Sequence, residues 1–197
     1  MLKIQTGSSS CVIVLHEIYG INLFIQDICE SLSRQNFDVV CPNLLPQVIP
    51  FDYIEEGMAY KNFMAYAGFD DSAEKVIELV KGMKEQYSKI FILGFSVGAT
   101  VAWSCSEEKD VDGIVGYYGS RIRDYVEIQP TCPTLLYFPS AEKSFDVNEM
   151  VVKLDKPNVE IEVFDAQHGF CDPYATEYDK ALAQITFMKT VEFFRAN

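Results

Sequence analysis

The chain has 197 residues, 49% of them hydrophobic, enough for a single domain with a sizeable core. Its formal net charge of −13 and sequence pI near 4.5 repel polyanions, so neither nucleic acid nor an anionic membrane surface is expected as a partner. Cys11-Val12-Ile13-Val14-Leu15 is a continuous apolar run, as in a parallel strand covered on both faces. Ile21 to Gln35 follows with Leu23, Phe24, Ile28 and Leu32 at helical spacing. Phe37 to Cys41 is the next strand, stopped by Pro42. Residues 52 to 86 read as two helices joined near Gly68. Asp71 or Ser72 can cap the second, and Val76, Ile77, Leu79, Val80 and Met83 form its inner stripe. Lys89 to Leu93 is a strand and Ala99 to Ser104 a helix. Strands Val111–Tyr117 and Thr134–Phe138, a helix over about 147–154, strand Val159–Phe164 and a last helix over about 176–195 complete the pattern. Such alternation predicts a mostly parallel sheet with helices on both faces, in one domain over 1–197, with no Pro- or Gly-rich linker dividing it.

Six cysteines (Cys11, Cys29, Cys41, Cys105, Cys132 and Cys171) invite a disulfide reading, but no pair has C-x-x-C spacing, and a chain this large and apolar does not depend on staples. They read as reduced thiols of a cytoplasmic protein, several of them packing in strands as small hydrophobes. The N-terminal residues lack a secretory apolar region with a cleavage site, and the longest apolar stretch, Phe91 to Trp103, is too short and too broken to cross a bilayer. There is no P-loop and no G-x-G-x-x-G after the first strand, so nucleotide-binding folds of those types are not expected.

The most informative segment is Gly94-Phe95-Ser96-Val97-Gly98, set between a strand and a helix. This is the pattern of a nucleophile elbow: small flanking residues let strand and helix pack closely, and the central hydroxyl projects beside the N–H groups of a helix N-terminus. A hydroxyl so placed can attack a carbonyl carbon if a base removes its proton.

Two histidines are present. His168 lies between the last strand and the last helix, downstream of Ser96, which fits the chain order nucleophile, acid, base. His16 precedes the serine and does not open a zincin motif, since Gly20 stands four residues on. Its loop, His16-Glu17-Ile18-Tyr19-Gly20, has a different use. One oxyanion N–H is expected from Val97, the residue after the nucleophile, and the other from this first strand-to-helix loop, at Ile18. The acid is expected after strand Thr134–Phe138. Glu142 is the favoured candidate. Asp146 is the alternative, although Asp146-Val147-Asn148-Glu149 also reads as a helix N-cap.

Taken together these pieces resemble the dienelactone hydrolase family of α/β-hydrolases. The resemblance runs in order through His16-Glu17-Ile18-Tyr19-Gly20, Gly94-Phe95-Ser96-Val97-Gly98, Gly116-Tyr117-Tyr118-Gly119 and Gln167-His168-Gly169-Phe170, and on to Phe187–Phe194 of the final helix. It implies an α/β-hydrolase fold with Ser96 as nucleophile, His168 as base and Glu142 as acid, and with Glu17 at the position of a family glutamate that takes part in activating the nucleophile. The founding members carry cysteine at the elbow, usually aspartate as the acid, and arginines that hold a substrate carboxylate, one of them shortly after the histidine. Here Cys171, Asp172 and Pro173 follow Phe170, and no arginine lies between Arg34 and Arg121. A neutral or small ester is therefore expected at least as much as a carboxylate-bearing dienelactone.

The span from Tyr118 to Pro133 leaves room for a minimal lid at most. Tyr19, Tyr118 and Tyr60 are candidate pocket residues, and the aromatic stretch from Phe51 to Phe69 reads either as a pocket wall or as a buried helix face. The sequence thus predicts a cytoplasmic serine esterase or lactonase, monomeric or homodimeric, working without metal or organic cofactor. Acyl transfer on the same scaffold and a non-catalytic binding module are the competing readings.

Overall fold

Five consecutive apolar residues at Cys11–Leu15 can be buried only if both faces of their strand are covered, and the fold arranges this. In a computed structural model, which describes residues 1–142 and 145–197, the strands are β1 (Leu2–Ile4), β2 (Ser10–Leu15), β3 (Asp38–Cys41), β4 (Lys89–Phe95), β5 (Gly113–Tyr117), β6 (Thr134–Ala141) and β7 (Val159–Gln167). They form one sheet in the order β1-β3-β2-β4-β5-β6-β7, parallel throughout except for β1, which runs antiparallel to β3. The helices are α1 (Leu23–Arg34), α2 (Glu56–Tyr66), α3 (Phe69–Met83), α4 (Val97–Ser104), α5 (Val147–Lys153) and α6 (Lys180–Ala196). Three-residue β1 is too short to show a period and was not expected from sequence; it exists through its pairing with β3.

The period-2 alternation of the strands divides the core in two. Cys11, Ile13 and Leu15 of β2 face a cluster with Phe63, Val76, Val80 and Val101 from α2, α3 and α4. Val12 and Val14 face the opposite cluster with Phe24, Ile25, Cys29 and Leu32 of α1 and Val191 and Phe194 of α6. Among the described residues no helix is long and apolar enough to cross a membrane. All six cysteines are free and buried.

Element ends depart from expectation at points that matter for the site. β6 and β7 each run three residues past their predicted ends, to Ala141 and Gln167, because each continues to pair with the other. A register shift between Pro139 and Ala141 re-aims the chain just before Glu142. α3 is not capped by Asp71 or Ser72. Its N-cap is Gly68, at φ 65°, while Asp70 and Asp71 lie in the first turn, where carboxylates complement the helix dipole, and Ser72 is buried. α6 begins at Lys180 rather than near 176, because Asp179 accepts the Leu182 N–H at 2.9 Å and sets the start.

Candidate active site

The elbow is built by close approach. A Cβ on Gly94 would lie 2.2 Å from the Gly98 carbonyl oxygen, and one on Gly98 would lie 2.4 Å from the Leu15 carbonyl oxygen. Neither contact can be relieved by moving a side chain, so both positions require glycine. Between them Ser96 adopts φ 52° and ψ −114°, a conformation that costs about 1–3 kcal/mol for a residue with a Cβ. The surrounding bonds hold it there. The Ser96 N–H donates to the Tyr117 carbonyl at 2.9 Å, and the Ser96 carbonyl accepts from Ala99 and Thr100 at 3.1 and 3.3 Å.

Across the sheet, β7 lies three strands from β4, roughly 14 Å at ordinary strand spacing. The turn after Gln167, with Gly169 at φ 87°, brings His168 back over that distance. Tyr118, at φ 43° on the end of β5, fills the space beneath. It is wholly buried, and its ring centroid stands 4.7 Å from that of His168. His168 Nε2 lies 3.0 Å from Ser96 Oγ, and His168 Nδ1 lies 2.8 Å from Glu142 Oε1. A carboxylate at Nδ1 fixes the proton there and leaves the Nε2 lone pair facing the hydroxyl. Such an imidazole can accept the serine proton while the carboxylate stabilises the resulting cation. Burial alone would push the His168 pKa down. The Glu142 hydrogen bond and the negative charges of Glu142, Glu17 and Glu56 outweigh it, and the pKa rises above its ordinary value.

Of the two candidate acids, the structure thus brings Glu142 to the histidine. Asp146 instead caps α5, accepting the N–H groups of Asn148 and Glu149 at 2.8 and 3.3 Å. Val97 is the first residue of α4, where amide groups have no partner inside the helix. The packing of Gly98 on Leu15 and His16 sets that helix start against the loop carrying Glu17 and Ile18. Glu17 is 5% exposed, and burial pushes its carboxyl up to about 7; the His168 charge works against this rise and Asp172 adds to it.

The other histidine has a structural place. His16 is fully buried, with Nδ1 2.6 Å from the Glu17 carbonyl and Nε2 accepting the Leu44 N–H at 2.9 Å. These partners define a neutral ring protonated on Nδ1, and burial lowers its pKa to about 4.

The tyrosines named from sequence divide. Tyr19 sets its ring against that of Tyr53, with centroids 4.7 Å apart and planes tilted by 53°. Tyr118 is a floor rather than a wall, its hydroxyl 3.1 Å from Cys171 Sγ. Tyr60 sits on α2, 37% exposed, and no hydrogen bond or ring contact among the described residues joins it to Ser96 or His168. In the same stretch Phe63 is buried in the core, whereas Met58, Met64 and Tyr66 are exposed. An apolar cavity of about 200 Å³ lies between α1 and α6, bounded by Phe24, Phe95, Tyr117, Cys171 and Phe187. Ser96, His168 and Glu142 do not line it, so it is separate from the serine–histidine contact. Among the described residues no group of three or more His, Cys, Asp or Glu side chains is arranged to hold a metal ion.

The model of the dienelactone hydrolase family matches residues 2–197. The chain belongs to that family. It is 38% identical over 187 residues to the uncharacterized protein YczH of Bacillus subtilis (strain 168), covering 93% of this chain and 90% of that one. It is 22% identical over 205 residues to carboxymethylenebutenolidase 1 of Cupriavidus pinatubonensis (strain JMP 134 / LMG 1197), covering 96% and 87%. Among solved structures, the Pyrococcus furiosus esterase superposes with a TM-score of 0.68 at 18% identity, over 98% of this chain and 85% of that one. A dienelactone hydrolase-like promiscuous phosphotriesterase from metagenomic libraries gives 0.77 at 15% identity, over 98% and 88%. The fold is that of the α/β-hydrolases, and as a dienelactone hydrolase family member the protein is a carboxylic ester hydrolase.

Proposed function

We propose that this dienelactone hydrolase family member cleaves a small, uncharged ester or lactone through an acyl-enzyme on Ser96. Ser96 Oγ attacks the carbonyl carbon as its proton passes to His168 Nε2, and Glu142 holds the imidazole and stabilises its cation. The Val97 and Ile18 amides receive the oxyanion. The C–O bond then breaks, His168 returns the proton to the leaving alkoxide, and a water deprotonated by the same imidazole releases the acid. Glu17, buried next to this chain of groups, tunes its charge. The single observation that carries the reading is the continuous contact from Ser96 Oγ through His168 to Glu142.

The preference for an uncharged substrate rests on what surrounds the histidine. The charges acting most strongly on His168 are those of Glu142, Glu17 and Glu56, and Asp172 acts on Glu17. A substrate carboxylate would meet repulsion there, where the family's founding members offer arginine.

The test is a fluorophosphonate probe together with a panel of neutral and carboxylate-bearing p-nitrophenyl esters, lactones, thioesters and one phosphotriester. The wild type should be labelled and Ser96→Ala should not. Neutral esters should exceed matched anionic ones by about 10-fold or more in kcat/KM, as expected for like charges at close range. Equal labelling of both proteins removes Ser96 as nucleophile; a preference for the anionic esters removes the charge argument. Added alcohols or thiols that capture the acyl group faster than water would move the reading to acyl transfer.

A further inference from the structure

Outside the serine–histidine–glutamate contact the site carries a second buried carboxylate, Asp172, which the steps above do not use. It is 1% exposed and lies four residues after His168. Asp172 Oδ2 is 2.5 Å from the Tyr53 hydroxyl, and Oδ1 accepts the Tyr174 N–H at 2.8 Å. Tyr53 opens the 3-10 turn Tyr53–Glu55 on the segment between β3 and α2, 119 residues away in sequence. The same hydroxyl is 3.0 Å from Asn22 Nδ2. Asn22 ends the Glu17–Ile18 loop, and its Oδ1 caps α1 by accepting the Ile25 N–H at 3.1 Å.

The direction of these bonds is fixed. With Oδ1 committed to the cap, Asn22 presents an amide N–H₂, which can only donate; the Tyr53 oxygen accepts from it and sends its own proton to Asp172. Three loops distant in sequence therefore meet at one phenol: the loop with Glu17 and Ile18, the segment with Tyr53, and the loop with His168. Two further contacts draw the same parts together, the Phe51 N–H to the Tyr19 carbonyl at 2.9 Å and the Tyr19–Tyr53 ring contact. A second tether, from the Tyr174 hydroxyl to Asp27 of α1 at 2.8 Å, ties the histidine loop to the same helix.

We propose that Asn22, Tyr53 and Asp172 form a latch that sets the position of the oxyanion loop relative to His168, with Tyr53 as a positioning residue for the reaction. The inference rests on the reading of Ser96 and His168 given above. Oxyanion donor and base come from opposite sides of Ser96, and neither loop is held to the other by sheet pairing. Displacement of one by about 1 Å is enough to cost up to a hundredfold in rate. A latch of this kind acts on the transition state and leaves ground-state binding largely alone.

Tyr53→Phe keeps the ring against Tyr19 and removes both bonds of the hydroxyl. It should lower kcat per titrated active serine, and the rate constant of fluorophosphonate labelling, by about 10-fold with little change in KM. Asn22→Ser retains a capping oxygen and lacks the amide donor, so it should give a smaller loss of the same kind. Asp172→Asn should lower kcat as well, and the Tyr53→Phe/Asp172→Asn double variant should be no slower than the worse single one, because both break one unit. Tyr66→Phe, on the exposed face of α2, serves as the control. Counting active serines by titration separates misfolding from loss of positioning. If Tyr53→Phe lowers the melting temperature but leaves kcat per active serine and the labelling rate at wild-type values, the phenol is only structural and the latch is rejected. Strictly additive losses in the double variant would also reject it. A wild type that resists labelling altogether would instead reject the nucleophile assignment.

Discussion

The loop after β2 and the loop after β7 open at the same edge of one sheet, and each begins with a histidine that directly follows its strand. The two rings are chemically opposite. His16 is sealed between the Glu17 carbonyl and the Leu44 amide, without a carboxylate partner, and burial drives its pKa down to about 4. His168 has a side chain 37% exposed, a carboxylate on one nitrogen and a hydroxyl facing the other, and its pKa is raised. The residue type is the same; the partners of its two nitrogens decide whether it holds a loop or presents a lone pair that can take up a proton.

The sharpest way to break this comparison is to remove each ring. His168→Ala is expected to lower kcat by about 10,000-fold or more with an unchanged melting temperature. Glu142→Gln should lower it by about 100- to 10,000-fold, whereas Asp146→Asn, which retains a capping oxygen, should leave it near wild type. His16→Ala should show the reverse pattern. It strands the Leu44 N–H and the Glu17 carbonyl, with a loss of about 3 kcal/mol in urea unfolding. A comparable fall in kcat for both alanine variants, with both equally stable, would erase the distinction.

A middle-sized effect separates His16 from its neighbour. The folded state binds a proton at His16 less readily than the unfolded chain, so this residue makes stability rise with pH between about 4 and 6.5. Glu17 does the opposite: its folded-state pKa of about 7 makes stability fall as pH rises from 4.5 towards 7. The two slopes oppose one another where the windows overlap. Relative to wild type, Glu17→Gln should steepen the rise of unfolding free energy with pH by up to about 1.4 kcal/mol per unit, and His16→Asn should change it by a similar amount in the other direction. Denaturant titrations between pH 4.5 and 6.5 measure both, and parallel slopes in all three proteins would contradict the assignment.

The smallest expected effect is on the pH profile of kcat/KM. The base must be neutral to accept the serine proton, and its raised pKa places the acid limb above 6.5. Glu142→Gln removes the main group holding that pKa up, so the limb of its residual activity should move to lower pH. A wild-type limb at or below 6.5 would mean that another group limits the rate.

Much of the fold and of the candidate site is legible in the sequence. The central strands β2 and β4 appeared as apolar runs, because a parallel strand covered on both faces has little room for polar alternation. The elbow was visible because close approach of α4 to β4 and β2 admits nothing but hydrogen at Gly94 and Gly98. Chain order made His168 the candidate base, since one histidine lies downstream of Ser96, and the fold brings its ring to that hydroxyl. The choice of Glu142 over Asp146 leaned on a local signal, the cap, which the Asn148 and Glu149 bonds bear out.

What the chain alone left open are contacts between segments far apart in sequence. Nothing near Tyr53 foretells that its hydroxyl meets Asp172, and nothing near Tyr118 foretells that it lies beneath the His168 ring, because neither contact leaves a periodic or spacing signal. Local order of strands, helices and turns follows from short-range sterics and burial, which adjacent residues encode. The geometry around Ser96 depends on where three separate loops come to rest, and only the packed sheet, with its strand order and its bulge before Glu142, settles that.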